Sequence, residues 1–248
     1  MGDLNMRKSY QAIIFDLDGT LLNTLEDLAA STNYALVCMG FPTRTLAEVR
    51  KFVGNGVAKL MERAVPNGTS PEEITKTLEV FKTHYAEHCE DKTAPYEGIT
   101  ALLDALLADG KTIAVVSNKI DSAVSVLCKK YFGDRITLCI GDKEGICKKP
   151  SPDSVNETLR ILNIKKEDAV YIGDSEVDIE TAKNAEMDCI SVTWGFRDMD
   201  MLLDTWGLKD FAWDEKSTSK EGIFYGKGTA YFARSVQELE KILLCREK

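Results

Sequence analysis

The chain has 248 residues, of which 44% are hydrophobic and 29% charged, enough for one large α/β domain or a core domain carrying a smaller one. No apolar run approaches the roughly 20 residues that span a bilayer, and the net charge of −9 repels polyanions. We therefore expect no membrane and no nucleic acid partner. A small phosphorylated ligand fits better, because a metal ion and one or two lysines can make a pocket locally positive.

The N-terminus has no hydrophobic signal segment, and the seven cysteines contain no CxxC pair. This pattern is typical of reduced thiols in a cytoplasmic protein and predicts no disulfide framework. The oligomeric state is not indicated by the sequence.

The first predicted strand is the apolar run 10–16, which ends at Asp16 and continues as Leu17-Asp18-Gly19-Thr20. Two carboxylates one residue apart, followed by a glycine that lets the backbone turn, can place one acid on a metal and the other above a reacting group. The alternative is an Asp-Gly turn with both acids solvated. The apolar strand before the motif favours the functional interpretation.

The next part of the chain is predicted to be a helical insertion that ends at a Pro- and Gly-containing hinge, 94–98. Its apolar residues recur at helical spacing, and four such helices could bury a common core. The predicted helices are 25–39, 46–52, 57–64 and 71–89. His84 and His88, with Cys89 beside them, have a spacing that could hold zinc. No third ligand is recognisable, so an exposed helix face is favoured.

Two further apolar strands, 112–117 and 169–174, alternate with helical patterns. The predicted helices are 99–108, 122–131, 154–162 and 176–185. This alternation predicts a doubly wound parallel sheet covered on both faces. The strands end at Asp16, Ser117 and Asp174, and the carboxyl edge of such a sheet is where ligands bind.

The C-terminal part is less regular. Residues 235–244 are predicted to form a helix with a capping box of Ser235 and Glu238. The segment 205–229 is rich in Gly, Lys, Ser and aromatic residues, and an extra hairpin and a mobile loop are both left open for it.

Four motifs occur in order along the chain and together resemble those of the haloacid dehalogenase-like superfamily. They are DLDGTLLNT from Asp16, Ser117-Asn118, Lys149-Pro150-Ser151-Pro152 and GDSEVD from Gly173. Within the superfamily the chain is most similar to phosphoglycolate phosphatases. The resemblance implies a Rossmann-type core, 1–22 and 95–248, with a small helical cap, 23–94, inserted after the first strand.

The resemblance also implies a role for each motif residue. Asp16 is expected to be the nucleophile, and Asp18 the acid and base that serves first the leaving group and then water. Ser117 and Lys149 are expected to bind and neutralise the phosphoryl group. The implied Mg²⁺ ligands are Asp16, the Asp18 main-chain oxygen, Asp174 and Asp178, the last more plausibly behind the direct ligands. The implied substrate-binding residues are Thr20, Asn55, Gly56 and Asn118.

We therefore predict a magnesium-dependent phosphatase that hydrolyses a small phosphorylated metabolite, with phosphoglycolate as the first substrate to test. Asp18 argues against carbon–halogen cleavage, because a dehalogenase lacks the second acid. A phosphosugar mutase, a pyrophosphatase and a nucleotidase of the same superfamily are alternatives. A catalytically silent phospho-ligand-binding module is disfavoured, because both acids are present.

Overall fold

A computed structural model describes residues 8–208, 223–225 and 228–244, with the backbone alone at 223–225. The strands are β1 (Ala12–Phe15), β2 (Leu22–Asn23), β3 (Ala94–Pro95), β4 (Thr112–Ile120), β5 (Leu138–Asp142), β6 (Ala169–Gly173), β7 (Asp188–Val192), β8 (Ile223–Tyr225) and β9 (Gly228–Ala233). The helices are α1 (Leu25–Cys38), α2 (Leu46–Phe52), α3 (Val57–Ala64), α4 (Pro71–His88), α5 (Ile99–Ala108), α6 (Asp121–Phe132), α7 (Asp153–Leu162), α8 (Glu176–Ala185), α9 (Met199–Trp206) and α10 (Val236–Leu243).

Seven strands form the main sheet in the order β5-β4-β1-β6-β7-β9-β8. Neighbouring strands are parallel except β8, which runs antiparallel to β9. The predicted strands β4, β1 and β6 are adjacent inner strands of this sheet, so the doubly wound α/β fold is confirmed. β4 continues to Ile120, past the predicted end at Ser117.

Both faces of the sheet are covered, because successive residues of the central strands enter different apolar clusters. Ile13 and Phe15 of β1 belong to one cluster, and Ile14 belongs to another together with Tyr171 of β6. Helices α5, α6 and α10 pack on the first side, and α7 and α8 on the second. A strand buried on both faces needs an almost continuous apolar run, which is the pattern that the sequence shows.

Helices α1 to α4, hereafter the helical insertion, pack against one another between β2 and β3. Leu36, Leu60, Met61 and Phe81 are at most 1% exposed and form part of its centre. Capping boxes begin α2 at Thr45 and α4 at Ser70, which fixes where these helices start.

The two connections to the helical insertion are tied together. Leu22 pairs with Pro95 and Asn23 with Ala94 in a small antiparallel ladder. The buried carboxylate of Asp27 accepts hydrogen bonds from the backbone N–H groups of Lys92 and Thr93. Both connections therefore lie side by side near the carboxyl end of β1. The division into a core and a cap stays a prediction.

The C-terminal predictions have mixed outcomes. Within 205–229, residues 209–222 and 226–227 lie outside the described residues, while the pairing of β8 with β9 agrees with the hairpin alternative. The Ser235 hydroxyl does accept from Glu238 N–H at 3.2 Å. The predicted reciprocal bond is wrong, because the Glu238 carboxylate accepts from Arg234 N–H at 2.8 Å. Among the described helices, none has the length and apolar character to cross a membrane.

Candidate active site

The segments that follow β1 and β6 at the carboxyl edge of the sheet bring three acidic side chains together. Asp16 follows β1, and Asp174 and Asp178 come from the end of β6 and the first turn of α8. One carboxylate oxygen from each lies within 4.8 Å of the others, and all three residues are buried. The convergence predicted from the strand ends is therefore present.

Lys149 lies at the centre of this acidic cluster. Its Nζ is 2.8 Å from Asp16 Oδ1 and 2.8 Å from Asp178 Oδ1, and its side chain is 3% exposed. Burial alone would lower the pKa of Lys149, but the carboxylates of Asp16 and Asp178 raise it on balance. Lys149 is therefore a fixed cation beside Asp16.

Asp178 holds the Lys149 side chain through a hydrogen bond. Its Oδ1 accepts from Lys149 and from the Tyr171 hydroxyl at 3.0 Å, and its Oδ2 accepts from Ser175 N–H and Oγ. Each carboxylate oxygen thus has two donors in the protein. This arrangement favours Asp178 as a residue that orients Lys149 rather than as a direct metal ligand.

Asp174 is held by close backbone approaches. Its Oδ2 accepts from Phe196 N–H at 2.6 Å, and its Oδ1 accepts from the Thr20 hydroxyl at 3.2 Å. A Cβ atom on Gly19 or Gly195 would lie 2.4 Å from an atom of Asp174, so both positions need glycine. Thr20 is fully buried and its hydroxyl binds Asp174, while its role in substrate binding stays a prediction.

Ser117, Asn118 and Lys119 all line the pocket, because the pairing of β4 with β5 shifts register between Val116 and Ile120. In a regular strand, successive side chains point to opposite faces of the sheet, and such an irregularity changes their directions locally. Ser117 Oγ accepts from Lys119 N–H at 3.3 Å, so its own O–H is available to donate toward the pocket.

Asn118 has hydrogen-bond partners within the protein. Its Oδ1 accepts from Lys149 N–H at 2.9 Å, and its Nδ2 donates to the carbonyls of Lys149 and Gly54. The amide therefore fixes the backbone that carries Lys149 and joins it to the helical insertion. Its contribution to substrate binding stays a prediction.

Asp18 also lines the pocket and has a cation of its own. Lys119 Nζ is 3.0 Å from Asp18 Oδ1 and 2.6 Å from the hydroxyl of Tyr85 on α4. Sequence reasoning missed Lys119, because the predicted strand ended at Ser117. The signal that could have found it is a lysine directly after two polar residues at a strand end.

The helical insertion supplies the other wall of the pocket, which includes Gly54 and Gly56. Asn55 is not among the lining residues, and its Oδ1 is a buried atom without a hydrogen-bond partner in the described part of the chain. The structure therefore brings the predicted Gly56 to the site but not the Asn55 side chain.

Arg197 joins the two walls of the pocket. Its guanidinium pairs with Glu176 at 2.6 Å and donates to the carbonyls of Arg50 and Val53 in the helical insertion. The residue is 4% exposed. The loop after β7 is thereby connected to the end of α2.

The acidic cluster carries more negative charge than Lys149 can neutralise. Burial raises the pKa of Asp16 to about 7, Lys149 opposes the rise, and Asp178 adds to it. The pKa of Asp174 lies well above its usual range, mainly through burial and then through Asp178 and Asp16. A divalent cation would offset the cost of keeping these buried carboxylates ionised. An all-oxygen donor set suits Mg²⁺ rather than zinc. The residues therefore fit a magnesium ion.

His84 and His88 lie elsewhere, outside the pocket lining, on α4. Their rings stack at 4.2 Å, His84 Nδ1 contacts Ser31 Oγ, and His88 Nδ1 contacts Asp91. The metal-capable group in the described ranges is the aspartate cluster.

Fold and site together define the class of protein. The sequence profile of the haloacid dehalogenase-like hydrolases matches residues 13–192. The chain belongs to this family and is a hydrolase. That part of the prediction is confirmed.

Within this family, the chain is similar to several relatives and solved structures that are named as phosphatases. The chain is 34% identical over 187 residues to a phosphoglycolate phosphatase of Aquifex aeolicus, covering 75% of this chain and 86% of the relative. It is 33% identical to a phosphoglycolate phosphatase of Neisseria meningitidis, covering 76% and 83%. A predicted phosphoglycolate phosphatase from Lactobacillus delbrueckii has a solved structure with a TM-score of 0.82, 33% identity and 95% and 98% coverage. CbbY from Rhodobacter sphaeroides, solved in complex with phosphate, has a TM-score of 0.60, 27% identity and 74% and 86% coverage.

Proposed function

We propose that this chain is a magnesium-dependent phosphatase that hydrolyses a small phosphorylated metabolite through a phospho-aspartate at Asp16, with phosphoglycolate as the first candidate. The observation that carries the proposal is the buried cluster in which Lys149 lies 2.8 Å from Asp16, with Asp174 and Asp178 beside it. The names of the curated relatives and the phosphate bound to CbbY support the same chemistry.

In the first step, a carboxylate oxygen of Asp16 attacks phosphorus and the bond from phosphorus to the substrate oxygen breaks. Lys149 neutralises charge on Asp16 and the phosphoryl group, and the Ser117 hydroxyl donates to a phosphoryl oxygen. Asp18, which also lines the pocket, gives a proton to the departing alkoxide. The products are an alcohol and phospho-Asp16.

In the second step, water attacks the phosphorus of phospho-Asp16, and the bond between phosphorus and the Asp16 oxygen breaks. Asp18 takes the proton of the attacking water, which restores the acid for the next cycle. Phosphate then leaves and Asp16 is regenerated.

The carboxylates of Asp16 and Asp174 and the main-chain oxygen of Asp18 would hold Mg²⁺. When bound, the ion supplies positive charge that reduces repulsion between Asp16 and the phosphate. Asp178 would keep Lys149 in place beside these ligands.

Residues 23–94, which include the helical insertion, would act as a cap that limits the site to small substrates. The cavity measures about 50 Å³, which is room for only a few water molecules. A substrate larger than this space would need the walls to separate further, and the paired connections at β2 and β3 are where such motion would pivot. Closure would exclude stray water during the first step.

A panel of phosphorylated compounds tests this proposal. Phosphate release would be measured with Mg²⁺ for phosphoglycolate, sugar phosphates, nucleotides, pyrophosphate and a phosphopeptide, and ranked by kcat/KM. We expect a small phosphomonoester to rank first and the phosphopeptide last. Transfer of the phosphoryl group to a second hydroxyl without free phosphate would indicate a mutase, and no turnover of any compound would overturn the proposal.

A further inference from the structure

Two buried lysines of the pocket have matching surroundings. Lys149 Nζ contacts Asp16 at 2.8 Å and the Tyr171 hydroxyl at 2.9 Å. Lys119 Nζ contacts Asp18 at 3.0 Å and the Tyr85 hydroxyl at 2.6 Å. Each acid of the Asp16-Leu17-Asp18 loop therefore has its own lysine, and each lysine has a tyrosine hydroxyl as a further acceptor.

The two pairs differ in where the tyrosine comes from. Tyr171 lies on β6 in the main sheet, whereas Tyr85 lies on α4 in the helical insertion. The Tyr85 ring stacks on Phe81 with centroids 5.2 Å apart, and Lys119 Nζ lies 4.7 Å from the Tyr85 ring centroid. The position of Lys119 thus depends on the main sheet, which carries it on β4, and on the helical insertion, which supplies Tyr85.

The contact with Lys119 restrains the Asp18 side chain. Lys119 Nζ reaches both carboxylate oxygens of Asp18, at 3.0 and 3.3 Å. The lysine side chain is 3% exposed and that of Asp18 is 20% exposed, so the pair sits at the inner end of the pocket with Asp18 turned toward the open space. A carboxylate held at two oxygens has little rotational freedom.

We propose that Lys119 is a positioning residue for Asp18, and that Tyr85 sets the position of Lys119 when the helical insertion covers the site. The inference rests on the proposed function, in which Asp18 takes the proton of the water that attacks phospho-Asp16. In that step the new bond joins the water oxygen to phosphorus, the bond to Asp16 breaks and the proton passes to Asp18. Lys119 acts through Asp18 by keeping its carboxylate directed at the water.

A substrate with a very good leaving group isolates this step. Dinitrophenolate leaves without protonation, so formation of phospho-Asp16 from 2,4-dinitrophenyl phosphate does not need Asp18, whereas hydrolysis of the intermediate does. For this substrate kcat/KM reports the first step and kcat the second. Correct placement of a general base is typically worth about 10² to 10⁴ in rate, of which a positioning residue supplies part.

The experiment compares Lys119→Met and Tyr85→Phe with the wild type in the full chain with Mg²⁺. We expect Lys119→Met to lower kcat for dinitrophenyl phosphate at least about tenfold, with kcat/KM nearly unchanged and a burst of dinitrophenolate before the steady state. Tyr85→Phe keeps the stacked ring and should change kcat in the same direction by less. A crystal structure of Lys119→Met should show the Asp18 carboxylate in another rotamer.

Lys130→Met is the matched control, because Lys130 on α6 also pairs with a carboxylate at the edge of the helical insertion, Glu90, away from the pocket. It should leave both constants unchanged. Equal falls in kcat and kcat/KM in both pocket variants would show a purely structural role and overturn the inference. A loss confined to phosphoglycolate would overturn it as well, since Lys119 would then bind the substrate carboxylate. Failure of the wild type to release phosphate from any substrate would instead contradict the proposed function.

Discussion

Asp16 and Asp18 are two residues apart, yet their carboxylates lie in different surroundings. The Asp16 side chain is 11% exposed and pairs with Lys149, whereas that of Asp18 is 20% exposed and pairs with Lys119. Burial raises the pKa of Asp16 to about 7, which a bound cation would offset. Different environments allow two chemically identical side chains to take different roles in one reaction.

Replacing each acid by its amide should separate these roles. Asp16→Asn should lower kcat by at least about 10³-fold, because a neutral amide neither attacks phosphorus nor binds a cation well. Asp18→Asn should also lose hydrolysis but keep Mg²⁺ binding within a few-fold, since its main-chain oxygen is unchanged. Phosphate release and titration calorimetry with Mg²⁺ measure the two effects. Near-normal turnover by Asp16→Asn, free of contaminating phosphatase, would rule out the covalent mechanism.

A substitution at Gly195 tests how closely the surrounding backbone holds the Asp174 carboxylate. An added Cβ would lie 2.4 Å from Asp174 Cβ, so Gly195→Ala should displace that carboxylate and weaken Mg²⁺ binding at least about tenfold, with a stability loss of about 1–3 kcal/mol from overpacking. Gly40→Ala is the control, since Gly40 has open space around it and only a positive φ of +72° to strain. It should lose some stability and no Mg²⁺ affinity. Unchanged affinity in Gly195→Ala would show that Asp174 can shift without consequence.

At the scale of elements, the central strands and most helices follow directly from the sequence. β1, β4 and β6 are apolar enough to identify, and α5 and α8 begin and end where their periodicity predicts. β5 and β7 were not predicted, because each contains an acid and small or polar residues that break the apolar run. Asp188 of β7 is buried only because Tyr10, Lys8 and the Thr229 backbone donate to it, and such distant partners leave no local pattern.

In the site, too, residues whose partners are distant in the chain could not be predicted from a local pattern. The motif acids, Ser117 and Lys149 were predictable, because each follows a recognisable strand or motif. Lys119 was not, since its importance depends on Tyr85 from a helix that no local pattern places beside it. The hydrogen bonds of Thr20 to Asp174 and of Asn118 to Lys149 likewise join residues that are far apart in the chain.

Arg197 should control how firmly the helical insertion is attached. Arg197→Met removes the bonds to the carbonyls of Arg50 and Val53, so amides in 46–64 should exchange with deuterium at least about tenfold faster while those of β1 and β6 stay protected. Arg135→Met is the control, because Arg135 makes a comparable two-pronged pair with Asp104 outside the insertion. Equal exchange in wild type and Arg197→Met would show that apolar packing alone holds the insertion.

At the scale of the whole molecule, the acidic cluster links stability to pH. Asp16 has an ordinary pKa of 3.8 and a folded-state pKa of about 7 without metal. The folded protein therefore retains a proton that the unfolded chain releases, so this contribution is fully present below about pH 4 and is lost as the pH rises through about 7. Its size is on the order of a few kcal/mol.

Urea unfolding in EDTA at several pH values measures this link. Between pH 5 and pH 7.5 the wild type should lose more stability than Asp16→Asn, and the two curves should diverge as the pH rises. Added Mg²⁺ should restore the wild type at pH 7.5 much more than the variant. Parallel curves for the two proteins would show that the Asp16 charge does not oppose folding.

The position of β1 has a consequence for how the protein is made. β1 comes first along the chain but pairs with β4 on one side and β6 on the other. During translation β1 therefore lacks its second partner until Gly173 has left the ribosome, whereas the contacts within the helical insertion are local and can form earlier. A nascent chain that stops before β6 would carry the nucleophile without Asp174 or the second neighbour of its strand. Hydrolytic activity thus cannot begin before Asp174 and Asp178 have left the ribosome.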